Sequence, residues 1–144
     1  MRIRAAQSND LNAIKDLLVA NDLPSADVSA VLLNDFWVTE DATGTLVGSI
    51  GLERFGQNAL LRSLAVAHRA RNVGIGGRLV AHAEHMAFAT GIAQLWLLTT
   101  TATEFFQRKG YETMDRSDAP VELQTSSQFA VLCPATAALL AKSL

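Results

Sequence analysis

The chain has 144 residues, 49% of them apolar and 18% charged, with a formal net charge of -2. That is enough to bury one core, and no Lys/Arg run is long enough to track nucleic acid or an anionic membrane, so neither partner is expected. One cysteine, Cys133, excludes an internal disulfide framework. With neither a signal-like N-terminus nor a membrane-length apolar run, the expected setting is the reducing cytoplasm.

In chain order, a short strand around Ile3 precedes "SNDLNAIKDLLVAN", where Ser8 or Asn9 can cap a helix whose apolar face is Leu11, Ile14, Leu17 and Leu18. The spacing predicts a second, shorter helix in "SADVSAVLL", capped by Ser25. "FWVTED", "TLVGSIGLER" and "ALLRSLAV" read as successive strands, the first two joined by the polar turn "DATG". From Ile75 the period becomes helical, through Leu79, Ala83, Met86 and Ala87, until Gly91 closes the helix.

The almost wholly apolar "IAQLWLLTT" predicts a strand covered on both faces. The pattern from Thr101 to Glu104 predicts a capping box opening another helix, ended by Gly110, with Tyr111 resuming an extended segment. A polar loop, "DRSDAPVELQTSS", leads to a predicted strand "SQFAVLC" and a final alanine-rich helix begun by Pro134. No interdomain linker interrupts the chain, so one domain over residues 1–144 is expected.

"RNVGIGGRLV", residues 71–80, joins a strand ending near Val66 to a helix beginning near Gly74. The first N–H groups of a helix lack internal partners and carry the positive end of its dipole, and glycines let an anion reach them without meeting a Cβ. Arg71 and Arg78 would add charge at the rim. The segment has no Lys-Ser or Lys-Thr pair of a P-loop and lacks the last glycine of a dinucleotide fingerprint.

"LLRSLAVAHRARNVGIGGRLVAHAE" resembles the acyl-CoA-binding motif of the GCN5-related N-acetyltransferases, with Arg71, Gly74 and Gly76 filling its Arg/Gln-x-x-Gly-x-Gly/Ala pattern. "LWLLTTTATEFFQRKGYE" is similar to the family's second landmark, a strand and short helix ending in Gly-aromatic. The resemblance implies a single α/β domain with a mixed sheet of six to seven strands, splayed at the acyl-CoA site and flanked by helices. It implies acetyl-CoA as co-substrate, held by the segment Arg71, Asn72, Val73, Gly74, Ile75, Gly76, Gly77 and Arg78. Leu64, Ala65 and Val66 would pair with its pantetheine arm.

A Val66 amide would polarise the acetyl carbonyl, and Phe106 stands where the family often places a tyrosine as general acid. "LERFGQNALLRSLAV", "FFQRKGYE" and "QFAVLCP" look like the family branch encoded beside arsenic-resistance genes, whose members acetylate small amino-acid-like toxins. The expected acceptor is therefore a small amine.

Glu53, at the end of a central strand, is the candidate general base, the alternative being a solvated charge beside Arg54. Arg62 is a candidate for a substrate carboxylate. Strand alternation allows one of Arg62 and Ser63 to face the cleft, with a surface arginine as the alternative. His82 and His85 are expected to be solvated rather than metal-binding, and Cys133, Trp37 and Trp96 to pack in the core. No metal is expected. A non-catalytic acyl-CoA sensor and a protein or peptide acetyltransferase are the competing functions, and the C-terminal strand and helix are a candidate homodimer contact.

Overall fold

The computed structural model describes residues 2–132 and 136–144. Its centre is a sheet of seven strands in the order β1-β2-β3-β4-β5-β7-β6, comprising β1 (Ile3–Ala5), β2 (Phe36–Glu40), β3 (Leu46–Phe55), β4 (Asn58–Val66), β5 (Gln94–Thr99), β6 (Glu112–Met114) and β7 (Ala138–Ser143). Four helices accompany it: α1 (Leu11–Ala20), α2 (Ile75–Ala89), α3 (Thr103–Arg108) and α4 (Val121–Gln124). β1 to β4 pair antiparallel in sequence, as short polar turns allow. The turn after β2 closes where Gly44 N–H donates to Asp41 O, 3.0 Å, at a left-handed φ of 82°.

Both faces of the sheet are covered. α2 places Ile75, Leu79, Val80, Ala83 and Ala87 against Trp37, Leu52, Leu61, Leu95 and Leu97. On the opposite face α1 contributes Ile14, Leu17 and Leu18 to a cluster with Phe36, Val38 and Ala65, and α4 sets Leu123 against Leu60, Trp96 and Leu139. The strands consequently alternate between two apolar environments rather than between core and water.

The C-terminal region differs from the sequence expectation. Gln128–Leu132 form a short π-helical turn rather than a strand, and Ala138–Ser143 form β7 rather than a helix. Cys133 and the expected helix start at Pro134 lie outside the described residues. β7 lies between β5 and β6, paired antiparallel with both, and buries Leu140 on the α2 face with Leu139 and Ala141 on the other. Alanine and leucine prefer a helix by only tenths of a kcal/mol, about 0.7 at most per residue, which two ladders and two-sided burial outweigh.

Three smaller departures concern the expected helices and their starts. The segment expected to be a second helix is irregular, with only a 3-10 turn at Leu32–Asp35. α1 is entered through a 3-10 turn, Ser8–Asp10, closed by a capping box in which the Asp10 carboxylate accepts the Gln7 N–H at 2.8 Å and is held by Arg4; neither Ser8 nor Asn9 caps the helix. α3 has no capping box; instead the Thr99 hydroxyl accepts the Ala102 N–H at 3.0 Å. The polar loop after β6 carries a 3-10 turn at Arg116–Asp118 and then α4.

His82 is half-buried rather than freely solvated, its ring packing edge-on against Trp37, 5.5 Å between centroids, while His85 is exposed. Burial there, with the like charge of His85 adding to it, lowers the His82 pKa. The unfolded chain then takes up a proton near pH 6.5 that the native chain still refuses, so this stability is complete above about 6.5 and is lost as pH falls through the lower folded value. Melting temperature should fall on acidification below about pH 6.5, and His82→Gln should flatten that part of the profile relative to the parent chain.

Candidate acyl-CoA site and acceptor pocket

β4 and β5 run parallel but pair only where Asn58, Ala59 and Leu60 meet Gln94, Leu95 and Trp96. Beyond Leu60 and Trp96 the two strands part, and a cleft of about 1090 Å³ occupies the gap. Ala67 N–H donates to Val47 O at 2.8 Å, so antiparallel alternation turns the backbone N–H and C=O of Val66 the other way, toward β5. Leu64, two residues earlier on the same side of the ladder, shares that direction. Polar strand edge therefore faces the cleft without a partner strand.

The opposite orientation of residues just upstream comes from a bulge. Ser49 is opposite Ala65 but Gly51 is opposite Arg62, so Ser63 and Leu64 share one place against Ile50. Ser63 takes a left-handed φ of 58°, and its carbonyl accepts the Ser49 hydroxyl at 2.9 Å. The bulge re-aims the chain. As a result both Arg62 and Ser63 line the cleft, where simple alternation allows one.

At the other end of the cleft, α2 begins from Gly74, whose φ of 84° sets the turn that presents the first helical N–H groups. Arg71, Asn72, Gly74, Ile75, Gly76 and Gly77 line the cleft. Val73 and Arg78 are exposed beside it, and Ala65 turns its side chain into the core behind β4. Arg71 braces the entrance, its Nε donating to Val66 O at 3.3 Å and its Nη2 to Asn21 Oδ1.

Two further cations sit here that the sequence reading did not single out. Arg108 lines the cleft, and the Lys109 ammonium lies where a Cβ on Gly77 would come within 2.9 Å of it. Only the packing of α3 against α2 brings "FFQRKGY" to the glycine segment, and that packing has no local sequence signal.

A Cβ added to Gly74 meets nothing within 4 Å, so Gly74→Ala carries a conformational cost of about 1–2 kcal/mol without a clash. Gly91 has φ 91° and equally open surroundings at the far end of α2. The two alanine variants should therefore melt alike, whereas only Gly74→Ala should weaken CoA binding in a calorimetric titration.

Phe106 lines the cleft, edge-on to Phe105 at 5.0 Å and to Tyr111 at 5.5 Å. Tyr111 does not take over an acid role: its hydroxyl donates to Glu84 Oε2 at 2.9 Å, and burial first, then Glu84, pushes its pKa up. Among the described residues no group of three His, Cys, Asp or Glu is placed to hold a metal ion.

Arg62 is buried rather than at the surface, with a side chain of 0% exposure. Its Nη1 and Nη2 grip Asp27 at 2.6 and 2.7 Å, Nη1 also reaches Glu53 at 2.9 Å, and Nε donates to Ser63 Oγ at 3.1 Å. Burial opposes the charge, yet the Asp27 and Glu53 bonds outweigh it and raise the pKa above the ordinary arginine value. Glu53 and Asp27 themselves line a separate cleft of about 390 Å³ behind Arg62. Glu53 thus stands one guanidinium away from the large cleft.

The acetyltransferase (GNAT) domain family model matches residues 33–113, more than half of the chain. The chain belongs to the GNAT acetyltransferase family. Its GNAT domain is 28% identical over 129 residues to an amino-acid acetyltransferase of Aeromonas salmonicida, covering 84% of this chain and 29% of that protein. It superposes on N-acetylglutamate synthase from Neisseria gonorrhoeae, solved with coenzyme A and N-acetyl-glutamate, at TM-score 0.85 and 26% identity, over 99% of this chain and 35% of the other. A Mycobacterium tuberculosis protein solved with CoA shares the fold from end to end, with TM-score 0.82, 22% identity and coverage of 100% and 99%. The GNAT domain spans about a third or less of the length of the first two relatives.

Proposed function

We propose that this GNAT domain binds acetyl-CoA along the cleft and transfers the acetyl group to the α-amine of a small, amino-acid-like acceptor. The observation that carries the reading is the unpaired edge of β4, which runs from the cationic start of α2 to Arg62 and Ser63. A pantetheine arm laid against Leu64, Ala65 and Val66 adds the strand that β5 does not supply. The amides of Val73 to Gly77, with Arg71, Arg108 and Lys109, receive the phosphates, the Arg78 N–H being already committed to Gly74 O at 3.1 Å.

In the ternary complex the acceptor nitrogen attacks the thioester carbon, the C–S bond breaks, and the Val66 N–H steadies the developing oxyanion. Freeing a lysine-like amine of pKa about 10.4 at pH 7 costs roughly 4.6 kcal/mol, against about 1.1 kcal/mol for an α-amine near pKa 7.8. An α-amine therefore needs little from a base. The leaving thiol, with pKa near 8.5, departs as thiolate without an acid at Phe106. In this reading Glu53 is a positioning residue that keeps Arg62 charged and aimed, and water carries the amine proton away.

A second reading, an acyl-CoA sensor without turnover, is favoured by Phe106 at the acid position and by Glu53 lying behind Arg62. Thiol release from acetyl-CoA, measured with a panel of free amino acids and their arsinico and phosphinico analogues, separates the two. Release with an amino acid or analogue supports the enzyme and, with an arsinico compound, a detoxifying role. CoA binding with no release across the panel supports the sensor.

A further inference from the structure

The Arg62 guanidinium already holds a carboxylate in a two-pronged grip, and that carboxylate belongs to the chain itself. We propose that Asp27 is a resident stand-in for the acceptor's carboxylate, and that the acceptor binds by displacing it from Arg62. The inference rests on the amino-acid-like acceptor proposed above and adds how that acceptor is selected.

Charge decides between addition and exchange. Arg62 faces two carboxylates, Asp27 and Glu53, so this buried cluster already carries one negative charge more than positive. A third carboxylate would add to the excess in a place where Arg62 is wholly removed from water, and like charges that close raise the cost steeply. If Asp27 leaves as the acceptor arrives, the charge is unchanged. Exchange is therefore the favourable route.

Geometry decides which carboxylate leaves. Glu53 belongs to the β3 ladder, paired opposite Leu60. Asp27 lies between α1 and the turn at Leu32, in a segment with no helix or strand, and its side chain keeps 18% of its exposure. The residues just before it, Pro24, Ser25 and Ala26, line the large cleft, while Asp27 lines the small one behind. The Asp27–Arg62 bond is thus part of the wall between the two cavities, and releasing it joins them at the acceptor end.

A neutral acceptor of the same shape gains nothing from displacing Asp27, so the device selects carboxylates. The test compares the parent chain with Asp27→Asn, which keeps the side-chain shape and an acceptor oxygen but replaces the charge-assisted grip by a weaker one. For the amino acid that releases thiol fastest in the panel, Asp27→Asn should lower KM roughly threefold to tenfold while leaving KM for its α-amide unchanged. An equal change for acid and amide, or a rise for the acid, overturns the proposal in favour of a purely structural ion pair.

A second arm needs no turnover. Amide hydrogen exchange over residues 23–31 should quicken in sodium acetate relative to acetamide at matched concentration and ionic strength. No difference between the two overturns displacement. If the whole panel fails to release thiol, the enzyme reading falls while the exchange arm still decides the role of Asp27.

Discussion

Gly51→Ala is expected to destabilise the domain by about 3 kcal/mol or more, the upper range for overfilling a packed core. A Cβ at Gly51 would lie 2.2 Å from Phe36 Cε1 and 2.5 Å from two further ring atoms, and Phe36 itself has 0% exposure. The ring has nowhere to go. For a chain of this length that loss corresponds to a fall of about 10 °C in melting temperature. Phe36→Leu introduced on top should restore part of it, because a smaller side chain gives the new methyl room and the two changes couple. Additive losses in the double variant would show that the Phe36–Gly51 contact is not the cause.

The same level of the sheet explains why this glycine matters to the site. Phe36, Gly51 and Arg62 are in register across β2, β3 and β4. Phe36 covers the glycine, and the next position in the row is the cation that closes the acceptor end of the cleft. Disturbing the ring displaces the strand that presents Arg62.

Arg62→Ala is expected to cost about 3 kcal/mol in stability, the lower end for removing one partner of a buried ion pair, because Asp27 and Glu53 keep 18% and 23% of their side-chain exposure. It should also raise KM for an amino-acid acceptor while changing the affinity for CoA little, since the start of α2, proposed to receive the phosphates, is at the opposite end of the cleft. Arg62→Lys should not restore the acceptor KM. An ammonium cannot grip a carboxylate with two parallel donors or reach Asp27, Glu53 and Ser63 together. Equal losses of CoA and acceptor affinity would assign Arg62 to the fold alone.

How far the fold could be read in advance depended on whether local chemistry and tertiary demand agreed. At β2 to β4 and at α2 they did: the apolar runs, the "DATG" turn and the glycine start of α2 pointed to the elements that form. At the C-terminus they disagreed. "ALLAKS" carries helix-forming residues, but the open side of β5 and the short β6 recruit it as the strand between them. The "SADVSAVLL" segment likewise has helical spacing yet stays irregular, placing Asp27 on Arg62 instead.

The turn and helix start at the glycine segment were legible because they depend on consecutive residues, as does the anion cradle proposed there. The acceptor end was not, because it is assembled from distant ones. Arg62 looked like a candidate from its place beside the motif, but its burial, the bulge at Ser63 and its pairing with Asp27 across 35 positions have no local signature. Arg108 and Lys109 reach the cleft only through the docking of α3.

The most direct test of the central claim is a calorimetric titration of CoA into the chain, run with Gly74→Ala and Gly91→Ala beside it. Saturable binding at one site per chain is expected, weakened by Gly74→Ala and unchanged by Gly91→Ala. Absence of saturable CoA binding, or equal weakening by the two substitutions, would contradict the assignment of the β4–β5 cleft and the start of α2 to acyl-CoA.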